Sequence, residues 1–405
     1  MTTTALQEKI SSANEPCLYM SMELSNKEWK LGFGTGGNPR IRSIPAREMI
    51  ALSKEIAMAK LKLGLQQDAK VVSCYEAGRD GFWIHRYLTG KEIGNIVVDS
   101  SSIEVNRRKR RAKTDKVDVQ KLYRQLIRHQ SGEKGVWSVV RVPSVTDEDE
   151  RRMHRERGRL QQEITAHSNR IRSLLILHGI EMVVGRHFVK DLERKKPLDG
   201  TSLGPGLKRE LIREFERWEL GTRQLKEIDK ERTERIKTAR KTVKESLKQV
   251  EGESRLPKAP KEFDKTTQVA ALMQLCGIGD NSAWPLIHEF FFRRFRNRRE
   301  VGSAAGLCGM PYDSGDKEHE QGISKAGNGR IRRIMVELSW FWLRFQPNSA
   351  ITIWFKTRFG GGGKRMRRVG IVAVARKLLV SLWRYLEYGE IPAGAKFKVA
   401  GRRAA

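Results

Sequence analysis

Four acidic residues are spaced in a way that can serve phosphoryl transfer. In LYMSMEL, strand alternation sets Leu18, Met20 and Met22 on one side and Tyr19, Ser21 and Glu23 on the other, leaving an acid at the strand's end. Glu76 ends the run VVSCYE in the same way, and Asp115 and Asp118 in KTDKVD share one face of a helix. Acids at the carboxyl ends of neighbouring strands can converge without being close in sequence. Mg²⁺ prefers hard oxygen ligands, and paired ions stabilise both the attacking and the leaving oxygen of a phosphoryl transfer, so carboxylates suit this task where His or Cys would not. Taken singly, each acid also fits a surface or helix-capping role. The basic run Arg107, Arg108, Lys109, Arg110 and Arg111 could hold a phosphate backbone beside such a site, or could be a solvated loop.

A second constellation lies in YDSGDKEHEQGISKAGNGRIRR. Ser314 precedes a glycine, and a serine in an exposed turn with a glycine neighbour can approach a phosphate closely; the same pair is also an ordinary turn. Ser324 and Lys325 compete for that role, and Ser324 is expected to be a backbone-binding residue or the cap of the helix carrying Arg330, Arg332 and Arg333. Those arginines can grip a phosphate or solvate a helix face. Upstream, Gly277, Ile278 and Gly279 have the spacing of a helix-hairpin-helix turn, whose backbone N–H groups would meet a phosphate; a plain helix-loop-helix with glycines for close packing reads equally from these residues. The following FFRRFRNRRE is either a basic face over a core or a strip for stacking and phosphate binding.

The elements that must position these groups follow from periodicity. From Leu18 to Ile44 three strands in meander order are expected, then a helix over Ala46 to Leu65, then the short apolar runs VVSCYE and NIVVDSS typical of buried parallel strands. That order is the order of an RNase H-like sheet. Lys113 to His129 is expected to be helical, as is a long charged stretch from Asp147 to Gly179. Leu207 to Val250 is nearly continuous Glu/Lys/Arg/Leu/Ile sequence at helical spacing, which predicts an antiparallel coiled-coil arm or a solvated spacer helix. Pro257 and Pro260 break it. Three domains are expected: α/β over 15–146, the arm over 147–256, and a mostly α-helical region over 263–395 with Gly360 to Gly363 as a hinge.

Lys and Arg number 79 against 48 Asp and Glu among 405 residues, a net charge of +31 that points to nucleic acid as partner. No apolar run of membrane-spanning length and no signal-peptide core is visible, so a cytoplasmic, nucleoid-associated protein that does not enter a membrane is expected. Four cysteines without a C-x-x-C pair argue against a zinc site or a disulfide framework.

The strand-end acid, the Glu76 of YEA and the KTDKVD pair resemble the RuvC-like domain of Asp-Glu-Asp-Asp insertion-sequence transposases, now understood as bridge-RNA-guided recombinases. Glu76, Asp115 and Asp118 match that motif; Glu23 stands where the family usually has Asp, keeping the charge and adding a methylene. The segment around YDSG and GISKAGN resembles the family's C-terminal transposase domain, and Ser314 falls on its nucleophilic serine. The resemblance covers roughly residues 17 to 130 and 264 to 389. It implies a RuvC-like domain, a coiled-coil arm and a helical transposase domain that cut and rejoin donor and target DNA with Ser314 and Mg²⁺. It further implies a bridge RNA as guide, a composite site of acids and serine, and assembly as a homodimer or homotetramer. Two rivals stay in view: a metal-only RuvC-like endonuclease in which water attacks, and a non-enzymatic nucleic-acid-binding protein.

Overall fold

Alternation in the first strands is realised in a five-stranded mixed sheet. The structure, a computed structural model, describes residues 16–103, 115–247, 255–256, 258–314 and 317–398; for 244–247, 311–314 and 317–321 it describes the backbone alone. The chain forms two compact units, 1–143 and 144–405.

In the first unit the strands are β1 (Leu18–Leu24), β2 (Glu28–Gly34), β3 (Arg40–Pro45), β4 (Val71–Glu76) and β5 (Gly94–Val98), in spatial order β3-β2-β1-β4-β5. β1, β2 and β3 form an antiparallel meander, while β4 runs parallel to β1 and β5 parallel to β4. Leu18, Met20 and Met22 of β1 are fully buried with Trp29, Leu31 and Phe33 of β2 on one face. That face is covered by α1 (Met49–Lys62) and α2 (Trp83–Gly90) through Leu52, Ile56, Ile84 and Leu88. Each such side chain contributes about 1.5–3 kcal/mol of burial, so a register slip that turned this face outward would unfold the sheet.

The opposite face presents Val72, Cys74 and Val98 to α3 (Asp115–Gln130), which packs on them with Leu122 and Leu126. Gly32 and Gly34 of β2 let α3 come close: a Cβ at Gly32 would stand 2.7 Å from Val119 Cγ1, and one at Gly34 would stand 2.2 Å from the Tyr123 hydroxyl. Ser21 Oγ donates to the Val119 carbonyl at 2.9 Å and Tyr123 Oη to the Gly36 carbonyl at 3.0 Å, which fixes α3 along the sheet. The basic run 107–111 lies outside the described residues.

The second unit starts with a capping box: Ser144 Oγ accepts from Asp147 N, and Asp147 Oδ2 accepts from Ser144 N. It opens α4 (Val145–Ile176), followed by α5 (Phe188–Arg194) and α6 (Pro205–Leu247). α4 and α6 run antiparallel, as the ion pairs of Arg157 with Asp229 and of Arg170 with Glu210 and the hydrogen bond between His167 and Glu214 show. Ile171, Leu175, Phe188, Leu211 and Phe215 form a core of their own, so much of the apolar stripe of these helices is covered within the chain. Ile176, Leu177, Val183 and Leu198 remain exposed around the end of α4 and the loops near α5.

The larger core of this unit joins Ile236, Ala239 and Val243 of α6 to α7 (Lys265–Gln274), α8 (Asp280–Pro285), a π-turn at Leu286–Phe291, α9 (Arg298–Ala304), α10 (Gly329–Phe345) and α12 (Lys364–Tyr388). α11 (Ala350–Phe359) packs on α12 through Phe355, Phe359 and Val374. Gly360 to Gly363, expected to be a hinge, form the short turn between α11 and α12, with Gly360 at one helix end and Gly363 at the other. No described helix is long and apolar enough to cross a membrane.

Candidate active site

The register of β1 on β4 puts two of the acids side by side. Met22 pairs with Tyr75, so Glu23 and Glu76 are the next residues at the carboxyl ends of adjacent parallel strands, separated by about one interstrand spacing of 4.8 Å. Both share the face of Ser21 and Cys74, the face that α3 covers. Asp115 and Asp118 occupy the first turn of α3, where the helix dipole favours negative charge. Asp118 immediately precedes Val119, whose carbonyl is tied to Ser21, so the acid-bearing turn sits over the strand end that carries Glu23. Asp115 is exposed and its Oδ2 lies 3.6 Å from Lys30 Nζ, while Lys30 is also the cross-strand neighbour of Glu23.

All four donors are oxygens, which fits a hard divalent cation. Among the described residues, however, no three His, Cys, Asp or Glu side chains stand together closely enough to hold an ion. The fold therefore brings the four acids to one edge and one face, without gathering three of their side chains around one point.

The serine segment departs from the expected loop. It is an antiparallel hairpin of β6 (Gly309–Ser314) and β7 (Lys317–Ile323), in which Ser314 pairs with Lys317, Asp313 with Glu318 and Tyr312 with His319. Ser314 is thus the last residue of a strand, next to the tip of the hairpin. The helix cap also differs from expectation. Asn328, not Ser324, caps α10, its Oδ1 accepting from the backbone of Arg330 and Ile331, while Ser324 N donates to the Cys308 carbonyl. Lys325 adopts φ 55°, a left-handed conformation uncommon outside glycine. That conformation turns the chain between the hairpin and the cap.

Two of the three α10 arginines have partners inside the unit. Arg332 donates to the Ala305 carbonyl at 3.1 Å, and Arg330 donates to Glu289 Oε1 at 3.2 Å. Gly277 has φ 89° and a Cβ there would stand 3.2 Å from the Phe341 carbonyl, so close packing on α10 accounts for this glycine. Gly279 precedes the six-residue α8 as its cap.

The sequence reading missed the buried polar cluster around Glu289. His154 donates from Nε2 to Glu289 Oε1 at 2.7 Å, and Arg155 Nε donates to the same oxygen at 2.8 Å. Burial alone would raise the Glu289 carboxyl, but these hydrogen bonds and the neighbouring positive charge outweigh it and hold the group well below the usual range. His288, one residue earlier on the π-turn, faces Glu150 through Nδ1 at 3.1 Å, and its Nε2 has no hydrogen-bond partner among the described residues. Burial, with Lys265, His154, Arg151 and Arg235 nearby, lowers it from 6.5 to about 3. Pro285 was the available signal in the sequence, because a proline inside a helix cannot supply the regular helical N–H; the structure answers it with the π-turn that carries His288 and Glu289.

This cluster gives the second unit an acid-sensitive stability. Below a pH of 6.5 the unfolded His288 takes up a proton that the folded one refuses, so stability present above that value is lost as the pH falls toward 3. The depressed Glu289 acts in the same direction at lower pH, since its stabilisation is lost as pH falls through its folded value. From about pH 7 to about pH 5 the His288 contribution is on the order of 2 kcal/mol. Thermal unfolding of His288→Gln across this range is expected to show a flatter pH dependence than the parent chain; an identical slope would assign the acid sensitivity elsewhere.

A mixed α/β unit with acids at its strand ends, followed by a strongly basic helical unit, has the make-up of an enzyme that processes nucleic acid. Residues 269–352 match the family described as Transposase IS116/IS110/IS902. The chain is also 37% identical over 391 residues to the protein named "Putative transposase y4rJ" of Sinorhizobium fredii (strain NBRC 101917 / NGR234), covering 94% of each. It belongs to the IS116/IS110/IS902 family of insertion-sequence transposases.

Proposed function

We propose that this transposase moves its element by a serine recombinase reaction assisted by Mg²⁺ and directed by a guide RNA. The observation that carries the reading is the side-by-side placement of Glu23 and Glu76 at two parallel strand ends, under the turn bearing Asp115 and Asp118. The sheet order and the helix across its face support an RNase H-like, RuvC-like unit. Ser314 would contribute Oγ as nucleophile: its proton leaves, an Oγ–P bond forms, and the P–O bond to one deoxyribose oxygen breaks, that oxygen taking up a proton. Rejoining is the reverse, with the hydroxyl of the exchanged strand displacing the serine. Glu23, Glu76, Asp115 and Asp118 would hold Mg²⁺, which supplies charge stabilisation to the phosphoryl and leaving oxygens. Lys325, just after the hairpin, and Arg333 on α10 are both exposed, available to donor or target phosphate. The exposed apolar side chains around the arm's end support pairing of copies into a homodimer or homotetramer.

The excess of cations supports the guide. A protein that grips phosphate without regard to sequence cannot select one site among many, and base pairing to RNA supplies that choice. Recombination between two plasmids is expected to be near background with RNA-free protein and efficient once the element's flanking non-coding transcript is added. Changing the transcript's guide loops should redirect the target. Site-specific recombination by RNA-free protein, or indifference to altered loops, would leave a protein-directed transposase instead.

A further inference from the structure

One face of α12 and the base of the serine hairpin enclose a groove of about 1030 Å³. The buried face of α12 carries Ile371, Val374, Ala375, Leu378, Leu379 and Leu382 into the core. Its other face lines the groove with Arg365, Arg368, Arg376, Lys377 and Arg384, interrupted by Val372 and Val380. The opposite wall adds Arg298, Arg299 and Lys325, and among the described residues no Asp or Glu lines the groove. Arg384 is paired with Glu390 at 3.6 Å, whereas among the described residues no acid pairs with Arg365, Arg368, Arg376 or Lys377. Such a row of like charges is repulsive unless a polyanion lies along it.

The groove is also apolar in a way that phosphate alone does not require. Leu307, Ile323, Val372, Val380 and Trp354 line it between the cations. Lys377 Nζ lies 4.4 Å from the centre of the Trp354 ring, so an aromatic surface and a phosphate-seeking ammonium share one spot. A duplex keeps its base faces stacked inside and offers only phosphates and groove edges, while an unpaired strand exposes base faces that need an apolar or aromatic seat. Gly309, Gly322 and Ile323, where the hairpin begins, line the groove, and the strand backbone from Gly309 to Ser314 reaches about 17 Å further. We propose that this groove seats an unpaired DNA strand adjoining the phosphodiester that is cut, a reading that rests on Ser314 as the nucleophile for its link to the scissile position.

The test is fluorescence anisotropy on the full chain with labelled oligothymidine, a DNA duplex of equal length and oligouridine. The groove variant is Arg365→Ala/Arg368→Ala/Lys377→Ala, all exposed positions, and a control of equal charge change is Lys208→Ala/Arg209→Ala/Arg213→Ala on α6. Oligothymidine affinity of the groove variant is expected to fall tenfold or more, with the slope of log affinity against log salt shallower by about 0.7 for each cation removed. Duplex affinity should change no more than it does in the control. Equal losses in groove and control variants, a loss as large for duplex, or a loss confined to oligouridine would each overturn the proposal. Because the readout is binding, it is separable from the chemistry: if Ser314→Ala recombines normally while the groove variant still loses oligothymidine, the groove stands and the serine reaction falls.

Discussion

Asp118→Ala is expected to lower strand cleavage by about a hundredfold or more while leaving DNA binding within about twofold of the parent chain. The split follows from what each charge does. A carboxylate at the strand edge contributes to holding a cation and hardly at all to phosphate affinity, which the 79 Lys and Arg residues dominate. Asp118 is half-buried at the start of α3, and its removal takes no apolar contact from the core, because Val119, Leu122 and Leu126 carry that packing. Asp115→Ala should behave alike, though the loss of its contact with Lys30 is worth little at a solvent-exposed site. Glu23→Ala is expected to be inactive as well, with Glu23→Asp retaining part of the activity. Parallel cleavage and binding assays with a Mg²⁺ titration check this, and parental rates in Asp118→Ala would remove the acids from the chemistry.

Ser314→Ala is expected to abolish cleavage and rejoining, by at least about a thousandfold, because no covalent intermediate can form without the hydroxyl. Alanine is tolerated at the end of a strand, and the ladder from Gly309 to Ser314 uses backbone groups that the substitution leaves in place. Circular dichroism and DNA binding of the variant should therefore match the parent. Plasmid recombination and cleavage by Ser314→Ala at the parental rate would instead favour a metal-activated water, the mode of a resolvase-like endonuclease.

How much of this was legible follows the range of the forces involved. The alternation of Leu18, Met20 and Met22 against Ser21 and Glu23 depends only on neighbours in sequence, and the sheet keeps it: one set fills the core and the other faces α3. The meander and the two parallel strands were equally readable from turn residues and apolar runs. The hairpin was not, because KEHEQG has no apolar face and its polar residues resemble a loop. The cap of α10 had two eligible residues, Ser324 and Asn328, and the choice is made by tertiary contact: Asn328 N donates to the Ala304 carbonyl while Ser324 is held at Cys308. The Glu289 cluster had only Pro285 as a local hint for the same reason, since its partners His154, Arg155 and Arg330 are far away in sequence. The acids fell between these cases. Strand and helix periods place each one, but convergence of side chains depends on rotamers and on an ion, neither of which periodicity specifies.

The most direct test of the serine and carboxylate account is to trap the protein on DNA during strand exchange and digest the covalent complex for peptide mass spectrometry. The account predicts a nucleotide phosphate linked to Ser314 in the peptide spanning the hairpin, formed with Mg²⁺ present and absent from Asp118→Ala. Cleaved DNA with no protein adduct, or an adduct on Ser324 or any other residue, would contradict it.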